Sequence, residues 1–220
     1  MIRKISALLV PLLALAGLAA ASPAIAEPFD DSLLAIQQAW AVANYETPEG
    51  DAREAAFEAL AKRTEALVQS NPKRAEARVW HGIVLSSYAG AKGGLGALGL
   101  AKEARSNLEA ALELDPAALN GSAYTSLGTL YHKVPGFPLG FGSDDKARKL
   151  FARALELNPE GIDPNYFWGE FLLDEGDYQQ AVVHFERALR APDRPGRELA
   201  DRGRRAEATA LLEKARAKAG

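Results

Sequence analysis

An all-helical solenoid of about four antiparallel helix hairpins with a closing C-terminal helix is the fold this sequence predicts. Three observations carry the prediction. Apolar residues recur at helical spacing, and no alternating run marks a sheet. A small–large–small pattern repeats: Ala104, Leu108, Ala111 and Pro116 share their spacing with Ala147, Phe151, Ala154 and Pro159, and Ala181, Phe185 and Ala188 repeat it. A glycine follows each helix-stopping proline at a near-constant distance, with Gly82 after Pro72, Gly128 after Pro116 and Gly169 after Pro159.

The cleanest unit is Asp163–Ala191. There Gly169, Gly176, Tyr178, Ala181, Phe185 and Ala188 have the spacing of one tetratricopeptide (TPR) helix–turn–helix. The residue types follow from packing. A glycine on the first helix and an alanine on the second let two axes approach closely, and a Leu or Phe one turn later fills the groove toward the next hairpin. Asn-Pro or Asp-Pro then stops the helix, because proline lacks a donor and disfavours a helical residue before it.

In chain order, residues 1–26 read as a secretory signal peptide. Arg3 and Lys4 start it, an apolar run from Ile5 to Leu18 follows, and Ala24-Ile25-Ala26 precedes expected cleavage at Glu27. Residues 27–220 form the TPR-like domain. A first hairpin spans about 31–72, with Asp30 or Asp31 as cap, Leu33, Leu34, Ile36 and Trp40 on one apolar face and Phe57, Leu60, Leu67 and Val68 on the other. Further hairpins span about 75–116, 121–159 and 162–192. A cap helix at 196–218 places Leu199, Leu211, Leu212 and Ala215 over the last hairpin, with Asp201, Arg202, Arg204 and Arg205 as a solvated stretch around Gly203.

The two middle hairpins are longer than the clean one. Gly90–Gly99 and Val134–Ser143 are extra residues between their helices, so two neighbouring loops are expected on one edge of the solenoid.

Composition narrows the function classes. With no cysteine, disulfides, thiol catalysis, thiolate metal sites and a lipidation cysteine are all excluded. A formal net charge of −3 for the whole chain argues against nucleic acid as the main partner. Gly94-Leu95-Gly96-Ala97-Leu98-Gly99 matches the dinucleotide pattern literally, but no strand precedes it. Lys92 or Lys102 beside these glycines leaves a weaker anion-site reading. His81, His132 and His184 lie on different hairpins and lack ligand partners at helical spacing; His81 faces the inter-helix core. No nucleophile elbow and no calcium loop is present. Neither enzymatic activity nor a cofactor is expected, although His132, Glu170 and Tyr166 are the set that an enzyme would have to bring together.

Binding is expected on the concave side, where first helices face the groove. Val79 and Ile83, then Thr125, Thr129 and His132, then Tyr166 and Glu170 are the candidate lining. Phe137, Leu139 and Phe141, too apolar for a solvated loop, either tuck into the groove or form a contact surface.

Lys92-Gly93-Gly94, Val134–Arg148 (VPGFPLGFGSDDKAR), Leu157–Phe171 (LNPEGIDPNYFWGEF) and Arg194–Glu207 (RPGRELADRGRRAE) resemble exported TPR proteins of the TatT family, the TPR component associated with TRAP transporters. The resemblance covers about Pro72–Lys214. It implies a periplasmic scaffold, able to form oligomers, that partners a solute-binding protein and has a cleft for an apolar or organic-acid ligand. Two other roles stay open, a small-molecule carrier and an adaptor in envelope assembly.

Overall fold

The computed structural model describes residues 28–220, so the expected signal peptide lies outside the described residues. Nine helices and no strand are present among them. They are α1 (Phe29–Tyr45), α2 (Asp51–Ser70), α3 (Ala75–Lys92), α4 (Gly94–Leu114), α5 (Ala118–Lys133), α6 (Asp144–Leu157), α7 (Ile162–Asp174), α8 (Tyr178–Arg190) and α9 (Glu198–Ala219). Consecutive helices pack as antiparallel hairpins, and the odd-numbered helices α1, α3, α5 and α7 form the inner wall. This is the all-α solenoid that the spacing predicts.

The repeating residues sit where two helices of a hairpin touch. Ala104, Ala147 and Ala181 have no exposed surface, and Leu108, Phe151 and Phe185 are equally buried. The glycine opposite each one leaves no room for a side chain. A Cβ at Gly82 would lie 2.5 Å from Leu108, one at Gly128 2.8 Å from Phe151, and one at Gly169 2.9 Å from Phe185. All three are below any ordinary carbon contact, so the glycines are fixed by the approach of the axes.

Helix starts differ in detail from the expected caps. Pro28 rather than Asp30 or Asp31 precedes α1, and at the start of α6 the Ser143 hydroxyl accepts the Lys146 N–H ahead of Asp144 and Asp145. The aspartates instead occupy first turns, where they favour the positive end of the helix dipole.

The first insertion is not a loop. Gly90–Gly99 is absorbed by lengthening both helices, and only Gly93, at φ 63°, links α3 to α4. Extending a helix that is already nucleated adds one hydrogen bond per residue, which offsets the ~1 kcal/mol that each interior glycine costs. Lys92 then pairs with Glu54 at 2.6 Å and ties the extended tip to α2. The second insertion does form a loop, because Pro135 and Pro138 cannot continue a helix.

The C-terminal helix does more than cap. Ala208, Leu212 and Ala215 cover the α7–α8 hairpin, and the other side of α9 returns to α1. Gly203 allows that return, since a Cβ there would lie 2.5 Å from the Tyr45 ring. Gln38 of α1 donates to the Gly196 carbonyl at 3.2 Å, and the Tyr45 hydroxyl donates to Glu207 at 3.3 Å. The solenoid is thereby closed on itself.

Candidate functional site: a cavity enclosed by the closing helix

Closure leaves a concave cavity of about 560 Å³ at the centre of the inner wall. Trp40 contributes from α1, Trp80 and Ile83 from α3, Thr125, Ser126 and Thr129 from α5, and Phe167 from α7. Arg194, Arg197, Arg204 and Glu207 close it from the C-terminal segment.

The register of the lining is regular. Trp80, Ser126 and Phe167 each stand two residues before the repeat glycines Gly82, Gly128 and Gly169, and all three line the cavity. The residues one position earlier are Val79, Thr125 and Tyr166, all buried; Val79 and Tyr166 turn toward the hairpin core, while Thr125 still touches the cavity. Val79 is completely buried, which corrects its assignment to the groove. Ile83, Thr125 and Thr129 do reach the cavity wall.

Tyr166 is also buried and packs under the Arg204 guanidinium, 4.4 Å from the ring centroid, instead of facing the groove. Burial pushes its phenol well above the ordinary value. Glu170 pairs with Lys133 at 3.1 Å. His132 bridges Asp144 and Asp174, each at 3.0 Å, and so joins α5, α6 and α7 outside the cavity. His132 and Glu170 are linked through Lys133, which also donates to Asp174 at 3.1 Å, whereas Tyr166 is engaged by Arg204, so the three are not gathered in the cavity. Among the described residues no group of three or more His, Asp or Glu is placed to hold a metal ion.

The apolar insertion divides. Phe141 stacks edge-on to Tyr131 at 5.5 Å with the Arg105 guanidinium 4.4 Å above it. Phe137 and Leu139 are 94% and 74% exposed, and neither enters the cavity.

An ion network runs through the cavity wall, and two of its members, Asp201 and Arg204, belong to the stretch expected to be solvated. Asp201 and Arg204 are 2% and 7% exposed. Asp163 accepts from Arg194 at 2.6 Å and from Arg204 at 3.0 Å; Asp201 accepts from Arg194, and Glu207 from Arg204 at 2.6 Å. Although burial alone would raise it, the two guanidinium groups hold the Asp163 carboxyl far below the carboxylate range. Matching the aspartate oxygens to arginine donors offsets the cost of taking these charges out of water.

A second buried polar pair fixes the last repeat. The Asn165 amide donates to the Pro159 and Gly161 carbonyls at 2.7 and 2.9 Å, so its oxygen is left to accept from His184 Nδ1 at 3.0 Å. Burial, helped by the Arg187 charge, pushes His184 down to about 4.

At the start of α5 the chain makes a left-handed turn whose sequence signal is the Asn120-Gly121 pair, two residue types that tolerate positive φ. Leu119, Asn120 and Gly121 have φ of 49°, 54° and 76°. Such a conformation costs a non-glycine residue roughly 1–2 kcal/mol, and it places Leu119 and Asn120 in the cavity wall.

One likeness to a solved structure agrees with this architecture. TTC0263, a thermophilic TPR protein of Thermus thermophilus, is similar over 87% of this chain and 92% of its own at 21% identity and a TM-score of 0.56. MamA is similar over 74% of this chain and 89% of its own, at 21% identity and a TM-score of 0.43. No family model and no curated protein matches the chain. Repeat spacing, hairpin packing and the first likeness together define the fold as that of a TPR solenoid.

Proposed function

We propose that this protein is a non-enzymatic TPR scaffold of the periplasm that engages a protein partner through the Val134–Ser143 loop. One observation carries the reading: Phe137 and Leu139 are held out in solvent on a backbone that is pinned in place. Leu139 N–H donates to the Gly136 carbonyl, Gly142 N–H to Pro135 and Ser143 N–H to Tyr131, while Phe141 anchors the stem. A preformed loop loses little entropy on docking, and aromatic side chains are enriched in interface cores, where exposed apolar groups such as these become buried.

The resemblance of Val134–Arg148 to TatT proteins supports a TRAP-type solute-binding protein as that partner, and the signal-peptide pattern supports periplasmic location. Pull-down from periplasmic extract tests the reading with the double variant Phe137→Ser, Leu139→Ser. Loss of specific partners with an unchanged melting curve is expected. The same partner list as wild type would sink the proposal.

A further inference from the structure

The base of the Val134–Ser143 loop is spanned by one histidine. His132 stands two residues before Val134, and Asp144 follows Ser143 directly. His132 Nδ1 lies 3.0 Å from Asp144 Oδ1, which joins the two ends of the loop. Its other nitrogen, Nε2, lies 3.0 Å from Asp174 Oδ2 at the end of α7, in the neighbouring hairpin. Packing holds the ring between them, edge-on to Phe171 at 5.1 Å and with 12% of the side chain exposed. A carboxylate only accepts, so the two bonds together need an N–H on both nitrogens, which is the imidazolium cation. Neutral imidazole has one N–H and would turn a lone pair toward one of the carboxylate oxygens.

We infer that His132 is a proton-operated latch, which as a cation ties the base of the loop to α7 and on losing one proton releases one of its two carboxylates. Release of Asp144 opens the loop's own base; release of Asp174 uncouples a closed base from the neighbouring hairpin. The charges around the ring suit a cation there. Lys133 donates to Asp174 at 3.1 Å and pairs with Glu170 at 3.1 Å, and Arg148, beside the same Phe171 ring, pairs with Glu175 at 2.9 Å. Four carboxylates thus face two fixed cations, and a protonated His132 reduces the excess. Although burial alone would raise it, the bonds from His132 and Lys133 hold the Asp174 carboxyl below its ordinary value. The inference rests on the loop being the docking element and adds pH as its control. Phe137 and Leu139 are presented on a fixed base when His132 is charged and on a looser one when it is neutral.

The chain has no cysteine, so Leu139→Cys and Gln179→Cys can carry the only two spin labels, one on the loop and one on α8 beside the end of α7. Double electron–electron resonance then reads the loop's position on the purified protein, with no partner present. A narrow distance distribution is expected at pH 5.5 and one at least about twofold broader at pH 8. Two variants separate the latch from other titrating groups. His132→Phe keeps a ring against Phe171 but has no donor, and should be broad at both pH values. Asp174→Asn offers the ring either an acceptor or a donor, and should be narrow at both. A wild-type distribution that does not change with pH, or broadening with pH that persists in either variant, would overturn the inference. If His132→Phe melts too early to label, wild type and Asp174→Asn decide the matter. A flat pH response beside a loop-dependent pull-down removes the latch alone, whereas a pull-down indifferent to the loop removes the docking reading and leaves the distances standing.

Discussion

Replacing Asp163 with Asn removes one charge from the centre of the closing network and changes almost no volume. Arg194 and Arg204 would then face a neutral amide. Removing one partner of a buried ion pair costs about 3–5 kcal/mol. Two features here reduce that figure. The Asp163 side chain keeps 30% of its surface exposed, and each arginine retains a second carboxylate, Asp201 or Glu207. The expected loss is therefore about 2–3 kcal/mol, or a melting point lower by roughly 4–12 °C for a domain of this size. The pH dependence has a defined sign. Asp163 has a folded pKa below its unfolded value, so its contribution is complete above about pH 4 and declines as pH falls below that. Urea titrations of wild type and variant at pH 7 and at pH 3 measure both quantities, and hydrogen exchange along α9 reports whether the ring opens. A variant within about 0.5 kcal/mol of wild type at pH 7, well inside the effect of an ordinary surface substitution, would refute the reasoning. So would a gap that fails to narrow at pH 3.

Gly128→Leu should drive a side chain into Phe151 and lose about 1–3 kcal/mol, read from chemical denaturation. Gly203→Leu should separate α9 from Tyr45 and raise exchange in α9 and α1 while the α5–α6 hairpin stays protected, which exchange mass spectrometry resolves. His184 is held neutral when folded, so protonation favours the unfolded chain. Stability should fall by roughly 2–3 kcal/mol as pH drops from 6.5 toward 4, and His184→Gln should flatten that part of the profile. Phe151→Ala should be the costliest single truncation, at about 3–5 kcal/mol, because the ring is almost fully buried against Gly128, Trp168 and Phe171.

The hairpins were legible in the sequence because their determinants are local. Gly169 meets Phe185 within one hairpin, and the same pairing recurs as Gly128 with Phe151 and Gly82 with Leu108. Periodicity alone determined which residues those would be, since a helix repeats its faces every three to four positions. What faces the cavity was not determined that way. One residue is about 100° of helix rotation, so Val79 and Trp80, or Tyr166 and Phe167, differ only by how the hairpins are turned about their axes. That turn is set by packing against neighbours.

Closure was invisible for a stronger reason. Tyr45 and Glu207 are separated by 162 positions, and Gln38 and Gly196 by 158. A charged stretch such as Asp201–Arg205 reads as solvated until something distant comes to lie against it. Residue spacing was enough to specify a TPR solenoid and to locate the Val134–Ser143 loop. Three further features emerge only when the chain is folded: the solenoid closes, Asp163, Arg194 and Arg204 fasten it, and a concave cavity is left on the inner wall. Helical periodicity is a property of neighbours in the chain, whereas closure depends on the accumulated angles of four hairpins.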